Sequence, residues 1–254
     1  MRLPRRLGHD ETAGLVEHLG ELRARVVVML VALAAGFAVG YVFHQKLIDW
    51  LNQPLPANRE PVTFGIAEPF MISLKVSLVA GFAIALPVIL WQVWSFLAPA
   101  VRKGAGRSLT GFVAFATVLF AIGVGFSHEV ALPAAIHFLT NYDSGLYDVQ
   151  VRASSYYSFA LFSLLAVGLV FELPVFILGL VRFGVLSAAK LRGNRRIGYV
   201  AMAAIAVALP GVDPITTAFE MVPLMLLFEG SIWLAVVFER RWHPELRAVS
   251  PAKT

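Results

Sequence analysis

Long apolar segments limit the folds open to this chain more than any other feature. A bilayer core about 30 Å thick is crossed by roughly 20 apolar residues in a helix, since each residue adds about 1.5 Å. Backbone groups in lipid must find hydrogen bonds inside the protein, so we predict an all-α integral membrane protein with six transmembrane helices. The six predicted spans are Val26 to Phe43, Met71 to Ala98, Leu109 to Phe126, Ser155 to Val181, Ile197 to Leu209 and Ile215 to Phe238.

The composition agrees with a lipid environment. Of the 254 residues 58% are hydrophobic and 15% are charged, against about 25% charged residues in soluble domains. The chain contains no cysteine, which excludes disulfides, Cys-ligated zinc and thiol catalysis. We predict one polytopic membrane domain over 1–254, with a cytoplasmic amphipathic segment (1–24), a six-helix core (25–238) and a cytoplasmic tail (239–254).

The basic residues predict how the chain is oriented. Seventeen of the 21 Lys and Arg residues lie in the N-terminal segment, the C-terminal tail and two of the predicted loops. Basic loops stay on the cytoplasmic side, so we expect both termini on that side. The expected location of the protein is the cell membrane. The predicted loops Gln45 to Pro69 and Ser127 to Ser154 then face outside. The net charge of +5 thus reflects topology, and we expect no nucleic-acid partner.

Spans five and six are predicted to be short. From Ile197 to Pro210 about a dozen residues reach only about 20 Å, and Pro210, Gly211 and Pro214 then break the helix. Two interpretations stay open for this segment. It is a short helix shielded by longer neighbours, or it is a point where the membrane is locally thinned.

Three glutamates fall within predicted spans: Glu172 in span four and Glu220 and Glu229 in span six. An ionisable side chain in lipid costs a few kcal/mol at least, so each is a candidate functional residue. Pro174 frees a backbone carbonyl near Glu172, which favours a polar groove at that depth. The alternative is a protonated glutamate that hydrogen-bonds to a neighbouring helix.

The N-terminal segment is amphipathic, with Glu17, Glu21 and Arg25 following one another at helical i, i+4 spacing. These carboxylates are either solvated surface charges or a site for a basic partner. Gly36 and Gly40 in span one form a small-xxx-small pair, a device that packs helices closely. Packing within one chain is the favoured interpretation here, and dimerisation is the alternative.

No catalytic motif is present. The sequence has no H-E-x-x-H, G-x-S-x-G, Walker or Rossmann glycine pattern, and its six histidines form no cluster with carboxylates. We predict a protein that is not an enzyme and that needs no cofactor and no metal.

Several motifs, taken in order, resemble the TatC family, the multi-spanning subunit of the twin-arginine protein translocase. The resemblance covers about Glu17 to Phe238. It is carried by His18-Leu19-Gly20-Glu21-Leu22-Arg23, by Phe70, Lys75, Pro87 and Gln92-Val93-Trp94-Ser95-Phe96-Leu97-Ala98-Pro99, by Phe171-Glu172-Leu173-Pro174, by Arg195-Arg196 with Tyr199, and by Asp213, Pro223 and Phe228-Glu229.

The resemblance implies a receptor that binds signal peptides with two consecutive arginines and exports folded proteins, driven by the proton-motive force. In the family one glutamate of the N-terminal motif contacts those arginines, and it corresponds to Glu21. We also expect signal-binding roles at Arg23, Glu17, Trp94 and Glu172.

The sequence departs from the family at a second acid. The family has a signal-binding glutamate in the first cytoplasmic loop, where this chain reads Lys103-Gly104-Ala105-Gly106-Arg107. Glu17 or Glu11 is the available substitute. The turn before span six is also altered, to Leu209-Pro210-Gly211-Val212-Asp213.

The resemblance also implies partners, namely single-span TatA and TatB subunits in a multimeric complex within membrane lipid. These dock along spans five and six in the family, where Thr216, Thr217 and Glu220 offer polar groups to a partner helix. The alternative function is a small proton-coupled secondary transporter that uses Glu172 and Glu220. Transporters of that class usually show internal repeats, which this chain lacks.

Overall fold

The predicted all-α architecture is confirmed in the ranges that the structure, a computed structural model, describes: 15–56, 59–97, 106–146, 149–210 and 214–242. Within these ranges no β-strand occurs, apart from an isolated bridge between Val62 and Arg152. The helices are α1 (Leu15–Val42), α2 (His44–Asn52), α3 (Glu68–Leu97), α4 (Gly106–Phe126), a π-helical turn (Ser127–Ala131), α5 (Leu132–Asn141), α6 (Ala153–Val170), α7 (Leu173–Arg182), α8 (Ala188–Gly193), α9 (Arg195–Ala208) and α10 (Pro214–Trp242).

Five helical segments in the described ranges are long and apolar enough to cross a membrane: Leu19–Val42, Glu68–Phe96, Thr110–Asn141, Ala153–Arg182 and Pro214–Glu239. The predicted fifth span forms α9, whose 14 residues reach about 21 Å and fall short of a bilayer core. The prediction of a short sixth span is wrong. Helix α10 has 29 residues, because it begins at Pro214, a favourable first position, and continues through the charged residues after Phe238.

The third segment also extends beyond its prediction. We expected a loop from Ser127, but the helix continues through the π-helical turn and α5 to Asn141. Pro133 does not end it, because the proline lies in the first turn of α5, where its missing N–H is tolerated. Ser127 is buried and its hydroxyl lies 3.2 Å from that of Ser163, which ties the π-helical turn to α6.

The fourth segment is interrupted where the sequence places Pro174. Helix α6 ends at Val170, α7 begins at Leu173, and Phe171 and Glu172 form the turn between them. Backbone bonding continues across this turn, from the Glu172 N–H to the Leu169 carbonyl over 3.1 Å. Glu172 thus occupies the N-cap position of α7.

The chain divides into two compact units. The first unit comprises Met1–Val118 and Gln150–Leu161 and is built around the pair α1 and α3. These two helices approach each other closely at glycines. A Cβ added to Gly36 would lie 2.4 Å from the Gly81 carbonyl oxygen, and a Cβ added to Gly40 would lie 2.7 Å from the Ser77 carbonyl oxygen. The small-xxx-small pair therefore packs helices within the chain, as favoured from the sequence.

The same unit joins its loop segments by polar contacts. Arg152 donates from Nε to Glu68 Oε1 over 2.8 Å, and Glu68 Oε2 accepts from the backbone N–H of Phe64 over 2.6 Å. The Val62 N–H also donates to the Val151 carbonyl over 2.8 Å. These contacts fix the segment before α3 against the segment before α6.

The second unit comprises Leu119–Val149 and Phe162–Thr254. Helix α10 packs against α7, α8 and α9 in this unit. Gly198 of α9 admits the Phe228 ring, since a Cβ there would lie 2.0 Å from the tip of the ring. The buried cluster of this unit consists of Val167, Phe171, Ile177, Met202, Ala206, Leu209, Leu224, Phe228 and Ile232.

We expect Gly36→Ala to destabilise the protein by about 1–3 kcal/mol, because both backbones must move apart to admit the methyl group. Thermal unfolding of the purified protein in detergent measures this effect. The control is Gly111→Ala in α4, whose Cβ would meet nothing within 4 Å and which should melt at or above the parent temperature. Equal melting temperatures for the two variants would contradict the close packing of α1 on α3.

Candidate functional site

The predicted signal-binding glutamate lies in the first unit and is ion-paired inside the chain. Glu21 and Arg25 lie one turn apart on α1, and Arg25 donates from both Nε and Nη2 to Glu21 Oε1, with the Nε contact at 3.0 Å. The two side chains are 21% and 20% exposed. The carboxylate is therefore oriented by a neighbouring guanidinium and stays accessible to solvent.

Arg25 also connects this carboxylate to the end of α3. Its Nη1 lies 3.3 Å from Gln92 Oε1 and 3.5 Å from the Gln92 carbonyl oxygen, and its Nη2 lies 3.4 Å from the Ser95 carbonyl oxygen. Ser95 belongs to the last turn of α3, where carbonyls lack intrahelical donors. Gln92, predicted as a motif residue, is thus part of the same group as Glu21.

The other residues of this unit that we predicted to bind the signal do not form one cluster. Arg23 is exposed on α1, and the backbone of Glu17 lies in α1, although the structure does not describe its side chain. Trp94 of α3 packs edge-on against Phe112, with ring centroids 4.7 Å apart. Pro99, Glu11 and the stretch 98–105, which includes Gly104, lie outside the described residues.

The remaining motif residues of α3 lie away from Glu21 along the helix. Phe70 is exposed in its first turn, Lys75 donates from Nζ to Ser158 Oγ over 3.0 Å, and Pro87 lies in its interior. The structure does not gather them into the group around Glu21.

Glu172 is the predicted acid of the second unit with the least support from its surroundings. Both of its carboxylate oxygens are buried, and no hydrogen-bond donor of the described residues reaches them. The neighbouring Phe171 stacks on Phe126 with centroids 5.7 Å apart and covers this turn. A buried polar group without a partner costs free energy, so the Glu172 carboxylate lowers the stability of this conformation.

The residues predicted to dock a partner helix begin α10. Thr216 and Glu220 are buried, at 0% and 1% exposure, and Thr217 is half-buried beside the exposed Ile215 and Phe219. Thr217 is therefore the one of the three whose side chain is accessible in this conformation. Asp213, just before α10, lies outside the described residues.

Glu229 belongs to a polar cluster whose contacts could not be predicted from the sequence. The Tyr199 hydroxyl donates to Glu229 Oε1, and Arg195 Nη2 lies 3.2 Å from Glu229 Oε2. Both partners belong to α9, so this group joins α9 to α10. The sequence motifs indicated Arg195, Tyr199 and Glu229 separately. The i, i+4 spacing of Arg195 and Tyr199 places them on one helix face, but nothing in the sequence indicated that both contact Glu229.

Comparison with known proteins gives the family. Residues 17–223 match the family model described as Sec-independent protein translocase protein (TatC). The chain belongs to the TatC family. It is 32% identical over 228 residues to the TatC protein of Carboxydothermus hydrogenoformans, covering 89% of this chain and 94% of that one. It is 30% identical over 237 residues to TatCd of Bacillus subtilis, covering 93% and 97%.

Solved structures agree with this assignment. A crystal structure of the twin arginine translocase receptor TatC in DDM superposes with a TM-score of 0.75 at 31% identity, covering 86% of this chain and 99% of that chain. A second crystal structure of the same receptor gives a TM-score of 0.71 at 30% identity, covering 87% and 98%. The chain is thus a multi-pass membrane protein of the twin-arginine translocase, and the transporter alternative is set aside.

We expect Glu172→Leu to leave the thermal stability unchanged or to raise it, because it replaces unpartnered buried oxygens with apolar surface. The comparison variant is Glu229→Leu. The Glu229 carboxylate accepts from the Tyr199 hydroxyl and pairs with Arg195, so its loss should destabilise the protein by about 1–2 kcal/mol. Thermal unfolding in detergent measures both variants. A loss for Glu172→Leu as large as that for Glu229→Leu would contradict an unpartnered carboxylate.

Proposed function

We propose that this protein is the receptor subunit that binds twin-arginine signal peptides and passes folded cargo across the cell membrane, driven by the proton-motive force. The observation that carries the proposal is the accessible carboxylate of Glu21 at the edge of the α1–α3 pair. A carboxylate accepts the planar guanidinium of arginine bidentately, which the single ammonium of lysine does not match.

The proposed topology has six spans with both termini cytoplasmic. Five of the spans are the long apolar segments, and α9 is the short one, recessed among longer helices or lying where the bilayer is thinned. The concentration of basic residues in alternate connecting segments supports this orientation. Glu21 is then located at the cytoplasmic face, where signal peptides first arrive.

Recognition by Glu21 needs support from the rest of the signal. An exposed ion pair contributes only about 0–1 kcal/mol, so the apolar segment of the signal must supply most of the affinity by contacting apolar surface. Arg23, Glu17 and Trp94 are proposed to contribute near Glu21. Glu172 is proposed as an intramembrane contact for the signal, on the ground of its unpartnered carboxylate.

Single-span TatA- and TatB-type subunits are the proposed partners. Thr217 is half-buried between exposed apolar side chains of α10, a surface that suits a partner helix carrying one polar residue. Thr216 and Glu220 lie buried behind this surface and are proposed to support it. The complex is expected to be multimeric.

We expect Glu21→Ala to lower export of a twin-arginine reporter up to about fivefold, since it removes an ion pair worth up to about 1 kcal/mol of signal binding. Export of a folded fluorescent reporter is measured in a strain that lacks its own subunit. The control is Glu60→Ala, which removes an exposed acid from the segment before α3 and should export normally. Normal export by Glu21→Ala, with the variant properly inserted, would overturn the assignment of the site.

The missing loop acid gives a second prediction. Ala105→Glu restores a carboxylate in the first proposed cytoplasmic loop, and we expect it to tighten signal-peptide binding about two- to fivefold, the scale of one exposed ion pair. Cross-linking yield at increasing peptide concentration measures the affinity. Ala105→Gln is the uncharged control and should leave binding unchanged. Equal binding by both variants would indicate that another acid has taken over this role.

A further inference from the structure

Arg25 already contacts Glu21 as an incoming arginine would. Its Nε and Nη2 both donate to Oε1 of the carboxylate. The second carboxylate oxygen, Oε2, receives neither of these donors. A guanidinium from outside therefore has an acceptor to approach before Arg25 has left.

We propose that Arg25 is an internal competitor for the guanidinium of the cargo signal. It occupies Glu21 in the cargo-free receptor and yields the carboxylate when a signal arginine binds. The inference rests on the proposed function, since it assigns a residue that sets the affinity of that same site.

The contacts of Arg25 with α3 allow the exchange. A guanidinium displaced from Glu21 still faces three acceptors, namely Gln92 Oε1 at 3.3 Å, the Gln92 carbonyl oxygen at 3.5 Å and the Ser95 carbonyl oxygen at 3.4 Å. The C-terminal end of a helix carries partial negative charge, which favours a cation there. Arg25 thus moves from the carboxylate towards α3 without becoming an unpaired, part-buried charge.

The competition lowers the apparent affinity of any ligand for Glu21 by the fraction of receptors in which the carboxylate is available. A partly exposed ion pair worth up to about 1 kcal/mol reduces that affinity by up to about fivefold. The same factor applies to every cation, so the preference for arginine over lysine still comes from Glu21. Arg25 sets the threshold of binding, and weakly matched signals fall below it.

The test measures binding of a fluorescent peptide with two consecutive arginines to the full-length protein in lipid nanodiscs. We expect Arg25→Gln to tighten binding about three- to fivefold, and a twin-lysine peptide to gain by the same factor. Arg25→Lys retains the charge but makes fewer contacts with the carboxylate, so it should tighten binding by a smaller factor. It also serves as the second variant if Arg25→Gln folds poorly.

A double-mutant cycle separates competition from a general loss of positive charge. In the Glu21→Gln background, Arg25→Gln should have no effect, because the contested carboxylate is gone. Weaker or unchanged binding by both Arg25 variants would overturn the inference, as would an equal gain in the Glu21→Gln background. If Glu21→Gln alone leaves binding unchanged, the proposed function of Glu21 fails instead.

Discussion

The requirement that backbone hydrogen bonds be made inside the protein governs this structure, because lipid supplies neither donors nor acceptors. Helices meet the requirement along most of the described chain, and two irregularities within its long apolar segments are packed against other side chains. The turn at Phe171 and Glu172 keeps its backbone bonds to Leu169 and Phe176 and is covered by the Phe126 ring. The π-helical turn is likewise anchored by the buried pair Ser127 and Ser163.

Helix contacts in the two units follow from the same constraint. Apolar side chains gain little by leaving lipid for another apolar surface, so close packing of backbones becomes the main source of stability. In the first unit Gly36 and Gly81 bring α1 onto α3, and in the second unit Gly198 admits Phe228 between α9 and α10. Outward faces remain apolar, as at Leu30 and Val31 of α1.

The lengths of the apolar segments predicted the long helices of this fold, because a helix in lipid needs apolar side chains along its whole length. It failed where helical continuity depends on local bonding. The segment from Ser127 to Asn141 contains a proline and polar residues, yet its π-helical turn and the tolerated position of Pro133 keep it helical. At the site, the spacing of Glu21 and Arg25 indicated their pairing on one helix. Their link to Gln92 and Ser95, some 70 residues away, depends on how α1 packs on α3, which periodicity does not encode.

The environment of Glu21 limits what the arginines of a signal contribute in the proposed mechanism. When a signal arginine replaces Arg25 at Glu21, one guanidinium–carboxylate pair forms and another is lost. The binding free energy gained is the difference between the two pairs, which is smaller than the energy of either pair alone. The arginines then select the correct peptide and position it, while the apolar segment holds it in place. Glu172 presents the opposite case, since no donor of the described residues must be displaced before a ligand reaches its carboxylate. In the proposed mechanism a polar contact at Glu172 adds its full hydrogen-bond energy, so Glu21 would discriminate between signals and Glu172 would retain the one that is bound.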